Sequence, residues 1–245
     1  MIPKIIHYCW FGRGKLPELA EKCIASWKEV LPEYDIKEWN EDNFDLDLYP
    51  YTREAYNAKK YAFVTDVVRL YALYTEGGIY MDTDVEILKP MDRFLHHEAF
   101  SGFESNGNIP TGLMASEKGS TWAKEMLRYY DNNHFLRQDN SFDMTTNVVI
   151  ITNLMKPYGF KATNQYQELE HFTLYPSNFF CPKDPETGVI HLTEETYCIH
   201  HFNGSWYSPK DKALSRIKKV LMRLIGRERV RKIIETFNLR KLKDH

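Results

Sequence analysis

Gly77-Gly78-Ile79-Tyr80-Met81-Asp82-Thr83-Asp84-Val85-Glu86 is the stretch on which the reading of this chain turns. The paired glycines stop the helical run before them, a short apolar run follows, and two carboxylates then stand one residue apart. On an extended strand successive side chains leave on opposite faces, so Tyr80, Asp82 and Asp84 are expected on one face and Met81 and Thr83 on the other. Two carboxylates so placed repel unless a positive charge lies between them. Hard oxygen ligands suit Mg²⁺ or Mn²⁺, and such ions bridge substrate phosphates. A lone Asp-x-Asp is a weak signal, and a solvated turn is its ordinary reading. The double glycine, the apolar lead-in and the helix upstream set this one apart.

Upstream, residues 59–75 place Ala62, Val67, Leu70, Tyr71 and Tyr74 at helical spacing. Asp66 and Arg69 are three apart on that helix, hence neighbours. An exposed pair of this kind is worth little. A charged pair in apolar company instead calls for a polar partner or a ligand. At the N-terminus, residues 2–10 read as a buried strand running into the Phe11-Gly12-Arg13-Gly14 loop, with Trp10 at the strand end where α/β sheets hold ligands. Trp10 is equally suited to core packing. Residues 17–30 follow as a helix and 34–39 as a strand, giving a strand–helix–strand unit.

Downstream, residues 99–103 and 112–115 read as short strands and 121–130 as a short helix, with a polar loop over 131–143. Residues 144–155 fit helix or strand equally. Residues 156–181 read as irregular with short strands, and 197–201 as a short strand. There is no internal repeat.

The 245 residues suffice for one large domain with an appendage, and 43% hydrophobic with 27% charged residues is the balance of an ordinary soluble protein. Sixteen Tyr, 14 Phe and 5 Trp suit flat or ring-shaped ligands as well as a large core. Cys9, Cys23, Cys181 and Cys198 are too scattered for a zinc framework and read as reduced thiols of a cytoplasmic protein. The start of the sequence lacks a signal-peptide core, and no apolar run approaches the roughly 20 residues of a membrane span. The net charge of −2 conceals a division. Residues 210–245 carry 13 Lys+Arg against 4 Asp+Glu, a net of +9, and the body is correspondingly acidic. In that tail Leu214, Ile217, Leu221, Leu224 and Ile225, then Val230, Ile233, Ile234 and Phe237, recur every three or four residues, with Gly226 between the two sets. Such a basic amphipathic stretch is expected to lie on an anionic membrane surface, with packing on its own domain as the alternative. No nucleic acid is expected as a partner.

Four blocks resemble glycosyltransferase family 32, the DXD-containing sugar transferases, which include bacterial capsular and polysaccharide enzymes and are related to the catalytic domains of large glucosylating toxins. They are IPKIIHYCWFG at 2–12, YAFVTDVVRLYALYTEGGIYMDTDVEILKP at 61–90, TTNVVIIT at 145–152 and IHHFNGSW at 199–206. The resemblance spans residues 1–208, read as the catalytic domain, with 209–245 as the tail. It implies an α/β GT-A fold, a mixed central sheet flanked by helices, and a nucleotide-sugar donor. It also implies Mn²⁺ or Mg²⁺, and transfer with retention at the anomeric carbon. By the same resemblance Trp10 stacks on the base, Asp66 and Arg69 bind sugar hydroxyls or phosphate, and Tyr80 lies near the diphosphate. Asp82 and Asp84 hold the ion, joined by His201 with His200 as the alternative. Ser205 and Trp206 belong to a loop closing over the diphosphate, and Asn147 contacts the donor sugar.

The chemistry of the residues agrees. A cation held by two carboxylates and an imidazole offsets charge on a leaving phosphate. Arg69 supplies a fork of donors. A double displacement requires a carboxylate nucleophile, for which Glu104 and Asp143 are the candidates. Front-face attack requires none and is the expected route. The expected donor is a UDP-hexose, then GDP-mannose, and the expected acceptor a glycan or a lipid-linked saccharide. The expected location is cytoplasmic, at the inner face of the plasma membrane. Two rival readings are a haloacid-dehalogenase-type phosphohydrolase, with Asp82 as nucleophile and Asp84 as acid/base, and an inactive nucleotide-sugar-binding protein.

Overall fold

A computed structural model describes residues 1–204 and 209–236 of the protein. The chain opens with β1 (Ile5–Cys9), α1 (Glu18–Val30) and β2 (Asp35–Trp39), and β1 and β2 pair in parallel. This is the unit expected from the sequence. A helix not anticipated, α2 (Pro50–Asn57), comes next and buries Tyr51, Thr52 and Ala55. It is two turns long and mostly polar, so its periodicity is faint.

Helix α3 (Tyr61–Glu76) ends on Gly77, whose φ of 71° suits glycine, and β3 (Gly78–Met81) starts at once. A Cβ on Gly78 would lie 2.5 Å from the Ile5 carbonyl oxygen, so the glycine is what lets β3 lie against β1. Behind this junction His7 is buried, accepting at Nδ1 from Trp39 Nε1 at 3.1 Å and donating from Nε2 to the Gly77 carbonyl at 2.7 Å. Burial lowers its pKa and keeps the imidazole neutral.

The strand does not continue through the acidic pair. It stops at Met81, and Val85 N–H donates to the Asp82 carbonyl at 2.9 Å, closing a turn over Asp82, Thr83 and Asp84. The shared face therefore arises from a turn rather than from strand pleat. Beyond it, β4 (Val85–Ile87) leaves the main sheet and pairs antiparallel with β9 (Cys198–His200) as a separate ribbon. Helix α1 fixes that ribbon: Trp27 Nε1 donates to the Val85 carbonyl at 2.7 Å and Ile87 N–H to Ser26 Oγ at 3.0 Å.

The remaining elements are β5 (Ala99–Gly102), β6 (Leu113–Ser116), α4 (Thr121–Arg128), α5 (Asn147–Leu154), β7 (Gln167–Leu169), β8 (Phe172–Tyr175) and α6 (Ser177–Phe180). The segment that the sequence left open is thus the helix α5. The seven-stranded mixed sheet runs β2-β1-β3-β6-β5-β8-β7. Its strands alternate between two cores. Cys9, Tyr80 and Met114 face one with α3 and α4, while Ile6, Ile79, Met81 and Leu113 face the other with α1. All four cysteines are free and buried.

Helices α7 (Pro209–Ile225) and α8 (Arg227–Thr236) meet at Gly226 and enclose a small apolar cluster of Met222, Val230 and Ile234. Polar contacts dock them on the loop after α6. Arg223 Nε donates to the Thr187 carbonyl, Arg227 pairs with Asp184, and Arg231 pairs with Glu186 at 2.8 Å. No helix among the described residues is long and apolar enough to cross a membrane.

Candidate active site

The turn at the end of β3 carries the acidic pair to the mouth of the sheet. Asp82 N–H donates to the Gly112 carbonyl at 2.8 Å, and Asn203 N–H donates to Asp84 Oδ2 at 2.7 Å. The third member of the group is His200. Its Nε2 lies 3.3 Å from Asp84 Oδ1 and 3.9 Å from Asp82 Oδ2, and one ligand atom from each of the three falls within a 4.8 Å set. His201 faces away, its Nε2 paired with Glu86 Oε2 at 2.8 Å. Adjacent side chains leave an extended segment on opposite sides, so only one of the two histidines can meet the turn. The expectation for His201 passes to His200.

Burial alone would lower the His200 pKa, but the Asp84 carboxylate and the nearby Cys181 hold it well above the usual imidazole value. Burial opposes ionisation of Asp84 too, and His200 with the Asn203 N–H brings that carboxyl down to about 2. The pair is therefore an imidazolium–carboxylate pair when no cation is present. Gly112 makes room for it, since a Cβ there would fall 2.7 Å from His200 Cε1 and 3.2 Å from Asp82 Oδ2.

Beneath the turn, Arg69 crosses from α3. Its Nη2 lies 3.2 Å from Asp66 Oδ1 and 3.5 Å from Asp82 Oδ1, Nη1 donates to the Thr111 carbonyl at 2.6 Å, and Nε to the Thr65 carbonyl at 3.2 Å. The guanidinium also stacks on Tyr80, 4.7 Å from the ring centroid, and Tyr80 Oη donates to Asp82 Oδ1 at 2.9 Å. Every guanidinium nitrogen thus has a protein oxygen, and Arg69 positions Asp82 from below. Asp66 is buried, which raises its pKa to about 6 against the pull of Arg69. Asn147, at the start of α5, donates from Nδ2 to the Asp66 carbonyl at 3.1 Å and accepts from Tyr130 at 3.4 Å. Its amide thus braces Asp66.

Trp10 is half-buried just beyond β1, with Nε1 donating to the Gly14 carbonyl at 2.6 Å. Of the two candidate nucleophiles, Asp143 is tied to Arg137 and Thr145, whereas Glu104 is buried and its pKa raised, with the His200 charge opposing the shift. Ser205 and Trp206 lie outside the described residues. A cleft of ≈ 370 Å³ opens beside Asp84 and His200 and is bounded by Asn203, Gly204 and the cationic face of α7. Sequence reading missed Gly112, Thr111, Lys183 and the inward face of α7. Their roles come from distant packing, for which the chain carries no local signal.

Residues 17–101 match the family described as glycosyltransferase sugar-binding region containing DXD motif, and the acidic pair of the turn lies within the match. The match spans about a third of the chain, from the start of α1 to β5. The chain is 32% identical over 134 residues to inositol phosphoceramide mannosyltransferase 3 of Schizosaccharomyces pombe, covering 52% of the chain and 36% of the yeast protein. The chain therefore spans about a third of that relative's length. It is 27% identical over 215 residues to an uncharacterized glycosyltransferase of Acanthamoeba polyphaga mimivirus, covering 84% of each. Among solved structures, PaToxG glycosyltransferase superposes with a TM-score of 0.50 at 18% identity, over 64% of this chain and 68% of that one. The fold is that of the GT-A sugar transferases, a mixed sheet flanked by helices.

Proposed function

We propose that the protein transfers a hexose from a nucleotide sugar to a saccharide acceptor with retention, using a divalent ion at Asp82, Asp84 and His200. The observation that carries this reading is the meeting of those three side chains beside an open cleft. Two carboxylates and an imidazole fit Mn²⁺ or Mg²⁺, and the positive charge that His200 bears without metal marks the place as one suited to a cation. A bound ion would act there as a Lewis acid toward the leaving diphosphate.

The chain's own residues do the rest. Arg69 and Tyr80 hold Asp82 in one orientation, and Asn203 N–H does the same for Asp84. The backbone around Asn203 and Gly204 borders the cleft, where a diphosphate would lie, and the half-buried Trp10 just beyond β1 would stack on the base. Among the described residues Asp82 and Asp84 alone supply carboxylates to the cluster, and front-face attack needs no further one. The donor is a UDP-hexose or GDP-mannose, the latter supported by the resemblance to a mannosyltransferase. The outer face of α7, with Ile217, Val220, Leu221 and Leu224 exposed among cations, favours a peripheral position on an anionic membrane with a lipid-linked acceptor.

The test is a panel of UDP- and GDP-sugars with Mn²⁺, followed by nucleotide release without acceptor. One donor should be hydrolysed slowly, and hydrolysis should stop in EDTA and in Asp84→Asn. Release from none, or full release in EDTA, defeats the reading. Flotation with anionic liposomes tests the membrane position: a chain ending at Pro209 should stay in solution while the full chain floats.

A further inference from the structure

Two sets of cations on the C-terminal helices differ in their partners. Arg223, Arg227 and Arg231 bond the loop after α6 and are used in docking. Lys212, Arg216 and Lys219 instead border the cleft from α7, opposite Lys183. Among the described residues these four have no carboxylate partner within salt-bridge distance, and the one hydrogen bond that any of them makes is from Lys183 Nζ to the His201 carbonyl at 2.6 Å.

This arrangement is unfavourable on its own. Lys183 and Lys219 are both half-buried, and burial is the main cause lowering the pKa of each. The Lys183 and Arg223 charges lower Lys219 further. Half-buried ammonium groups facing one another across a cleft are kept only where something negative offsets them. The nearby acids do not suffice, because Asp184 and Glu186 are already taken by Arg227 and Arg231, and Asp84, which acts on Lys183, is paired with His200.

The donor alone does not use these charges up. Asp82 and Asp84 offset a divalent ion, and Asp66 offsets Arg69. A diphosphate diester carries one charge per phosphate and so answers two of the four cations. We propose that Lys183, Lys212, Arg216 and Lys219 form a second anion subsite, which takes a phosphate ester carried by the acceptor. The proposal rests on the transferase reading and narrows it: the acceptor is a phosphorylated or diphosphate-linked saccharide rather than a neutral glycan.

Glucose 1-phosphate serves as the probe, titrated calorimetrically into the full-length protein at low salt. The first arm contains EDTA and no nucleotide, so the metal site cannot anchor the ligand. The second contains saturating Mn²⁺ with UDP or GDP. Binding is expected in both arms with similar affinity. Lys219→Met and Arg216→Gln should each weaken it about tenfold, the loss expected for one charge-assisted contact. Lys219→Met should leave the melting temperature unchanged or higher, because it removes repulsion with Lys183. A lysine with a purely structural role would lower it. No binding in EDTA, equal affinity in the variants, or displacement of the probe by UDP–Mn²⁺ overturns the proposal, the last by assigning the cleft to the donor diphosphate. If neither nucleotide binds while the probe does, the transferase reading fails and the anion subsite stands by itself.

Discussion

Gly112 and His200 are in contact across the site, and the contact leaves no space for a side chain on the glycine. A Cβ would meet the imidazole at 2.7 and 2.8 Å and Asp82 at 3.2 Å. Gly112→Ala should therefore push the ring off Asp84 while leaving the sheet intact. Disturbing a ligand's orientation costs about 10- to 100-fold in metal affinity. Titration with Mn²⁺ followed by electron paramagnetic resonance measures it. An unchanged dissociation constant would mean that His200 is no ligand.

Stability in EDTA should depend on pH through the His200–Asp84 pair. His200 is raised, so its contribution is complete below the unfolded value of about 6.5 and is lost as pH climbs through the folded one. Asp84 is depressed, so its contribution is complete above the unfolded value of about 3.9 and is lost as pH falls toward about 2. The pair thus supports the fold most between about pH 4 and 6.5. Melting temperatures should decline on the alkaline side, His200→Gln should flatten that decline, and Mn²⁺ should reverse it, since the metal takes the neutral imidazole. A decline of equal slope in His200→Gln would place its origin elsewhere.

Removing Arg69 alone should be worse for the fold than removing it together with Asp66. Breaking a buried pair on one side leaves an uncompensated charge and costs about 3–5 kcal/mol. Arg69→Met should show that loss in urea unfolding. Asp66→Asn combined with Arg69→Met should recover part of it, while activity stays low because Asp82 has lost its support. Equal stability in the two variants would mean that the charges do not interact.

Trp10→Ala should raise the donor KM and leave kcat nearly unchanged, because a stacking contact is present in ground and transition states alike. Trp10 also packs on the second core, so some loss of stability is expected with it. Steady-state kinetics at a temperature where the variant is fully folded separate the two effects. An unaltered KM would restrict Trp10 to packing.

The helix α3, the double glycine and the acidic pair were legible in the sequence because periodicity and glycine act locally. The turn over Asp82–Asp84 was not. Its defining bond, Val85 N–H to the Asp82 carbonyl, has no residue signature, and an extended strand gives the same side-chain order. Asp66 and Arg69 were recognised as a pair, but the Thr111 carbonyl that completes the Arg69 set lies 42 residues away. The choice between His200 and His201 depended on the β4–β9 register, which nothing near either residue encodes. In α7 the amphipathic pattern was plain, yet its sense was hidden. Cations face inward and Ile217, Val220 and Leu224 outward, since what the helix covers is a cleft rather than an apolar core.

The β4–β9 ribbon sets an order of events during synthesis. Val85 pairs with His200, so the cluster that contains Asp84 is assembled from two segments about 115 residues apart. At about 5–20 residues per second a ribosome needs on the order of 6–23 s to bring out the second after the first. Throughout that interval β4 has an open edge and the two carboxylates have no histidine. A nascent or truncated chain can thus possess the whole acidic turn and still lack the imidazole that completes the three-residue cluster, which forms only once the late strand has docked.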